Sequence, residues 1–283
     1  MNKIKLKSML ESFFLEDIGE GDLSSQALFT QKDRGTFYFM MKEDGIFCGR
    51  DIIETGFKIQ NDGIQTEVFV QDGDAVTKGQ TIASIEGPMA DLLQAERVVL
   101  NLVQRMSGIA TNTHHVTQLV RETGVRICDT RKTTPGLRML EKYAVRSGGG
   151  FNHRQGLYDA VMLKDNHISF AGSITEAVKQ VKNVHGHTVK VEVEIETREQ
   201  MHEAIEAGAD IIMFDNRLPQ EITEWIQEVP AHIITEASGG ITLDTIIDYA
   251  KTGVHYISLG YLTHSVKALD ISAKVQFDKA ALL

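Results

Sequence analysis

The chain has 283 residues, 42% of them hydrophobic and 24% charged, with a formal net charge of -10. These are ordinary globular proportions, and the length suits an α/β barrel, which alone takes about 250 residues, accompanied by a smaller domain. The acidic balance excludes broad binding to a nucleic-acid backbone, because such affinity comes mainly from Lys and Arg.

Residues 5–15 place Leu6, Met9, Leu10, Phe13 and Phe14 at helical spacing and predict an amphipathic opening helix. Acidic residues interrupt this stretch before a secretory apolar region forms. From Gly35 to Gly87 short β-type runs, TFYFMM, TEVFV and TIASIE, alternate with DG, GD and KG turns and predict a small sheet domain. Met89 to Arg121 carries few breakers and reads as a connecting helix or helix pair. Beyond it VRICDT, DAVMLKD, VKVEVEIE, DIIMFD, HIITEA and HYISLG alternate with amphipathic segments such as SITEAVKQVKNV and REQMHEAIEAG. That rhythm predicts a parallel sheet, and a barrel more than an open doubly wound sheet, because several runs end in a polar residue or glycine where barrels place their sites. The closing DISAKVQF alternates as a strand and is expected to return to the small sheet. No run reaches the roughly 18 apolar residues of a membrane span. Cys48 and Cys128 stand alone, without zinc-ligand spacing, which points to a reducing, cytoplasmic compartment.

Positive charge is concentrated. Arg126 to His167 holds eight Lys/Arg against four Asp/Glu, a local excess of four, leaving -14 for the rest. Within it, DTRKTTPG supplies Arg131, Lys132 and Thr133 after a strand: a guanidinium fork, a compact ammonium and a hydroxyl suited to carboxylate or phosphate. A solvated loop is the bland alternative. SGGGFNHRQG follows, where three glycines permit close backbone approach or a lid ahead of His153 and Arg154. Lys164 ends the DAVMLKD strand and fits an anion clamp, a Schiff-base nucleophile or a strand cap; its cationic neighbours favour the clamp. Glu194 and Asp215 end consecutive strands and suit Mg²⁺ or sugar hydroxyls, with a structural ion pair as the alternative. Alternation places Glu192, Glu194 and Glu196 on one face without choosing among them. The last two strands run into EASGGI and SLGYLTHS, a phosphate-binding arrangement offering Ser238, Gly239, Gly240, Ser258, Gly260 and His264. DGDAVTKGQTIASIEG imitates a lipoyl-carrier hairpin, yet GPMADLL follows without the lysine that such a carrier needs.

These segments together resemble the quinolinate phosphoribosyltransferase family, also called carboxylating nicotinate-nucleotide pyrophosphorylase. The matching stretches run from EDIGEGDLSS through ERVVLNLVQRMSGIAT, DTRKTTPGLRMLEKYAVRSGGGFNHR, LKDNH, VEVE, FDN and EASGGI to LTHSVKALDIS. Two departures, Ser24 and ERVVLN, remove no charge that the chemistry needs. The resemblance implies an α/β fold: an N-terminal sandwich-like α+β domain over 1–110, rejoined by 268–283, and an incomplete parallel α/β barrel over 111–267. It implies transfer of phosphoribosyl from phosphoribosyl pyrophosphate to quinolinate with decarboxylation, in NAD biosynthesis. A paralogous phosphoribosyltransferase acting on another anionic ring is the alternative. Arg131, His153, Arg154 and Lys164 are implied at quinolinate, with Lys132 nearby and Arg105 entering from a partner subunit of a homodimer or assembly of dimers. Glu194 and Asp215 are implied at ribose and Mg²⁺, and Ser238, Gly239, Gly260 and His264 at the 5-phosphate. Lys132, Lys164, Glu194 and Asp215 form the candidate catalytic set.

Overall fold

In the computed structural model, which describes residues 1–276, the helical spacing near the N-terminus becomes α1 (Lys3–Ile18), with Leu6, Leu10 and Phe14 buried. There follow α2 (Leu23–Leu28), β1 (Arg34–Met41), β2 (Gly45–Ile46), α3 (Arg50–Gln60), β3 (Gln65–Val68), β4 (Ala75–Val76) and β5 (Thr81–Pro88). The alternating residues of β1 bury Phe37, Phe39 and Met41 on one face, and the Phe39 ring meets Phe57 of α3 at 5.9 Å. The sequence reading missed α3, whose Ile52, Ile53, Gly56 and Phe57 form its buried stripe. α4 (Met89–Val120) is one 32-residue helix rather than a pair.

The second half contains β6 (Arg126–Cys128), α5 (Arg138–Ser147), β7 (Val161–Leu163), α6 (Asp165–Ala171), α7 (Ile174–Val184), β8 (Val191–Ile195), α8 (Arg198–Glu206) and β9 (Ile211–Asp215). It closes with α9 (Pro219–Trp225), β10 (Ile234–Ser238), α10 (Ile246–Ala250), β11 (Tyr256–Ser258), α11 (Tyr261–His264) and β12 (Ile271–Gln276). All six strand runs of the sequence form strands, in the order β6-β11-β10-β9-β8-β7, every neighbouring pair parallel. Strands covered on both faces read as near-continuous apolar runs, which is why these were legible. β6 and β7 stand at opposite ends of that order, so the barrel is incomplete. A parallel bridge from Phe151 to Cys128 lays the following segment beside β6. No helix among the described residues is long and apolar enough to cross a membrane.

The chain divides into two units. One holds Met1–Asn112, Met139–Gly149 and the chain from Ser265 on; the other holds Thr113–Arg138 and Gly150–His264. The first is built on the antiparallel sheet β12-β1-β5-β3, in which β12 pairs with β1 from Thr36↔Gln276 to Met41↔Ile271. Residues 277–283, the last part of the 268–283 return expected from the sequence, lie outside the described residues. Most of α5 groups with the first unit, although it lies within the interval assigned to the barrel. Its polar side chains explain why: Tyr143 donates to Asp72 at 2.7 Å, and Asp72 also accepts from the Gly49 and Arg50 amides at the start of α3. The glycine triplet ends this helix. The Gly148 and Gly149 amides donate back to Ala144 and Arg146, and Gly149 adopts φ 89°.

In the second unit Asp129, fully buried just past β6, fastens the segment that follows α5. It accepts from Asn152 Nδ2 at 2.6 Å and from the His153 amide at 2.9 Å. Asp129→Ala leaves these donors without that acceptor, so we expect a loss of about 2–4 kcal/mol in unfolding free energy. A shifted urea midpoint at unchanged slope is the readout. A loss below about 0.5 kcal/mol, the range of an ordinary surface change, would show that Asp129 fastens nothing.

Candidate active site

The C-terminal ends of the parallel strands surround a cavity of about 530 Å³ within the second unit. Arg131 and Lys132 follow β6, Lys164 follows β7, Glu194 lies on β8, and Asp215 and Ser238 end β9 and β10. His153, Arg154, Gly239, Gly240 and Ser258 complete the predicted residues on its wall. An adjoining cavity of about 580 Å³ shares Lys132, Ser238, Gly239, Gly240 and Ser258, and adds Gly260 and His264. Two predicted residues line neither. The Thr133 hydroxyl accepts from Arg138 Nε at 2.9 Å, a contact within its own loop. Arg105 lies in the first unit, where its Nε and Nη2 both donate to Oε1 of the buried Glu141, at 2.9 and 2.6 Å.

The cations in the main cavity are held without full neutralisation. The buried Nε of Arg131 has no hydrogen-bond partner among the described residues. Arg154 is steadied by the Ala160 carbonyl at 3.3 Å and Met162 Sδ at 3.7 Å. Burial, and then the neighbouring Arg131 guanidinium, pull Arg154 below its ordinary range. Two like charges near each other, one with an unanswered donor, make a strong site for an incoming anion. Lys164 forms an ion pair with Glu194, whose carboxyl burial raises above the usual range against the opposing pull of that lysine.

The strand β8 resolves the three glutamates. Glu192 is buried, Glu194 faces the cavity half-buried, and Glu196 lies beyond the strand's end, exposed. Glu192 accepts from His153 Nε2 at 3.0 Å, while His153 Nδ1 accepts from the Arg154 amide at 2.7 Å. An amide can only donate, so Nδ1 is the acceptor in this contact. His153 therefore borders the cavity with both ring nitrogens engaged by protein groups.

Glycines shape the phosphate-type loops more than helices do. Gly239 has φ 89°, and a Cβ there would come within 2.3 Å of Asn216 Oδ1. Asn216 itself adopts φ 53°, an uncommon conformation for a side-chain residue, and donates to Asp215 at 2.9 Å. Sequence reasoning left Asn216 without a role, though its place directly after a strand-ending carboxylate in FDN was a usable signal. α10 begins only at Ile246, so Gly239 and Gly240 present loop backbone rather than a helix N-terminus. At Gly260 a Cβ would meet Lys132 Cδ at 2.9 Å and His264 Cδ2 at 3.2 Å. The bare glycine lets these two side chains converge between the cavities.

Comparisons with known proteins agree with this architecture. The family description "Quinolinate phosphoribosyl transferase, C-terminal domain" matches residues 109–274, and its N-terminal counterpart matches residues 22–107. The chain is 55% identical over 275 residues to the probable carboxylating nicotinate-nucleotide pyrophosphorylase of Bacillus subtilis (strain 168), covering 97% of this chain and 95% of that one. It is 40% identical to the mitochondrial decarboxylating quinolinate phosphoribosyltransferase 2 of Nicotiana glauca, covering 97% and 83%. The solved nicotinate-nucleotide pyrophosphorylase from Francisella tularensis superposes with a TM-score of 0.93 at 36% identity, with 98% of each chain covered. An N-terminal antiparallel-sheet unit and an incomplete parallel barrel, matched by both family domains in order, place this chain in the quinolinate phosphoribosyl transferase family.

Proposed function

We propose that the protein transfers the phosphoribosyl group of phosphoribosyl pyrophosphate to quinolinate with loss of CO₂, giving nicotinate mononucleotide and pyrophosphate for NAD biosynthesis. The observation that carries this reading is the pair Arg131 and Arg154 in the main cavity, with the Arg131 Nε buried and unanswered. Quinolinate is a ring dicarboxylate, and its two anionic groups match that concentration of donors.

The reaction brings two anions together, so its barrier contains a repulsion that fixed cations offset. Arg131 and Arg154 hold the ring carboxylates. Lys132, shared by both cavities, stands between the ring site and the loops of Ser238–Gly240 and Gly260–His264, which suit the 5-phosphate. Lys164 holds Glu194 in place beside the ribose position. The ring nitrogen attacks the anomeric carbon as pyrophosphate leaves, and the resulting pyridinium charge stabilises the electron pair left when the adjacent carboxylate departs. A proton then replaces CO₂ at that ring carbon. Glu194 and Asp215 fit Mg²⁺, because both offer carboxylate oxygens from neighbouring strand ends of one cavity, and the Asp215 charge helps to raise Glu194. Such an ion, when bound, neutralises charge on the diphosphate.

We further infer a homodimer, or an assembly of dimers, in which Arg105 serves the partner's site. In support, the Arg105 guanidinium is held through Nε and Nη2 by the buried Glu141 carboxylate of its own unit. A cytoplasmic location fits two buried cysteines that form no disulfide among the described residues.

Turnover of purified protein with quinolinate, phosphoribosyl pyrophosphate and Mg²⁺ should yield nicotinate mononucleotide and CO₂, while nicotinate in place of quinolinate yields none. Product from nicotinate, or from neither ring, would overturn the carboxylating reading. Arg154→Ala and Lys164→Ala should each lower kcat/KM at least about a hundredfold, roughly 3 kcal/mol of transition-state stabilisation. Near-normal kinetics would remove that residue from the site. Arg105→Ala and Arg154→Ala subunits, mixed one to one with exchange verified, should regain roughly a quarter of wild-type activity, because each mixed dimer rebuilds one intact site. No recovery would refute the shared site.

A further inference from the structure

The two cations that carry the functional reading stand on separate segments of chain. Arg131 follows β6, whereas Arg154 belongs to the stretch between α5 and β7. Those strands end the sheet on opposite sides, so strand pairing does not set the spacing between the two residues. The bridge from Phe151 to Cys128 and the contacts of Asp129 fasten the segments as far as His153. A ring dicarboxylate presents its charges at one fixed separation, and a site that selects it needs the guanidinium pair held at a matching one.

Arg138, the first residue of α5, spans the gap beyond His153. Its Nε donates to the Thr133 hydroxyl at 2.9 Å, its Nη1 to the Gln155 carbonyl at 3.2 Å and its Nη2, more weakly, to the Arg131 carbonyl at 3.5 Å. One planar fork thus reaches the backbone of Arg131 itself and that of the residue directly after Arg154.

Both ends of the fork meet turns closed by their own hydrogen bonds. On one side the Thr133 amide and hydroxyl donate to the Arg131 carbonyl at 2.8 and 3.4 Å. On the other, Asp159 accepts from the Gln155 and Gly156 amides at 2.6 and 2.9 Å, and Arg154 Nη1 donates to the Ala160 carbonyl. Arg138 lies outside the described lining of both cavities, so it acts on a ligand through the residues it holds.

We propose that Arg138 is a positioning residue: a strut that sets the separation of Arg131 and Arg154 and thereby the fit of the site to two carboxylates on one ring. The strut has a force to oppose, because the Arg131 charge acts on Arg154 as a like charge in a partly buried cavity. It also gives Thr133 a role, since the hydroxyl expected at the ligand is the footing for Nε. Direction matters here more than charge. Lysine retains the charge but offers a single nitrogen, so Arg138→Lys removes the span alone.

The inference rests on Arg131 and Arg154 as the partners of quinolinate, and the test separates the two. Steady-state kinetics of the intact protein are measured for both substrates. Arg138→Lys should lower kcat/KM for quinolinate at least about thirtyfold, chiefly through KM, while KM for phosphoribosyl pyrophosphate moves less than about threefold. Placed on Arg154→Ala, where one of the two cations is already gone, the same substitution should cost less than about threefold. A parallel rise in both KM values, or equal losses in the two backgrounds, marks a general scaffold residue and overturns the inference. Thr133→Val removes only the footing and should raise KM for quinolinate about three- to tenfold. An unchanged KM in that variant overturns the inference whether or not Arg138→Lys folds. Folded wild type that does not turn over quinolinate overturns the functional reading itself, and the inference falls with it.

Discussion

The site depends on keeping positive charge unspent. Arg131 and Arg154 repel each other in a partly buried cavity, and an adjacent carboxylate would relieve them while cancelling their affinity for a substrate. The fold keeps the nearby carboxylates occupied elsewhere. Glu192 faces His153, Glu194 faces Lys164, and Asp129 binds Asn152 and a backbone amide. Glu236 likewise accepts from the Ser258 hydroxyl. A net charge of -10 on the whole chain is compatible with a cationic cavity because of this local partition.

Much of this was legible in the sequence, for identifiable reasons. Parallel strands buried on both faces announce themselves as short apolar runs, and all six were read correctly. Side chains at strand ends share one rim of a barrel, so Lys164, Glu194, Asp215 and Ser238 were expected together and line one cavity. α3 was hidden because RDIIETGFKIQ interrupts a region of strand-like runs, and its stripe of four buried positions is short.

What remained hidden depends on stagger between strands. Period-two alternation treats Glu192, Glu194 and Glu196 alike; depth along β8 separates them into a buried hydrogen-bond acceptor, a cavity residue and an exposed loop residue. Glu236 stood within a recognised motif, yet its proximity to His153 joins segments some eighty residues apart, which spacing along one strand cannot reveal. The glycine triplet suits close backbone approach or a lid, and its spacing alone did not show that Gly149 supplies the left-handed turn that ends α5.

The strand order also has a consequence for how the polypeptide is made. Among the described strands β6 pairs with β11 alone, with Arg126 opposite Tyr256, while β1 needs β12 to complete the antiparallel sheet. Thus the ribosome must deliver the stretch from Tyr256 to Gln276 before either unit can finish its hydrogen bonding. At roughly 5–20 residues per second, β6 waits on the order of ten seconds for its neighbour. Throughout that interval the strand leading into Arg131 and Lys132 has an open edge.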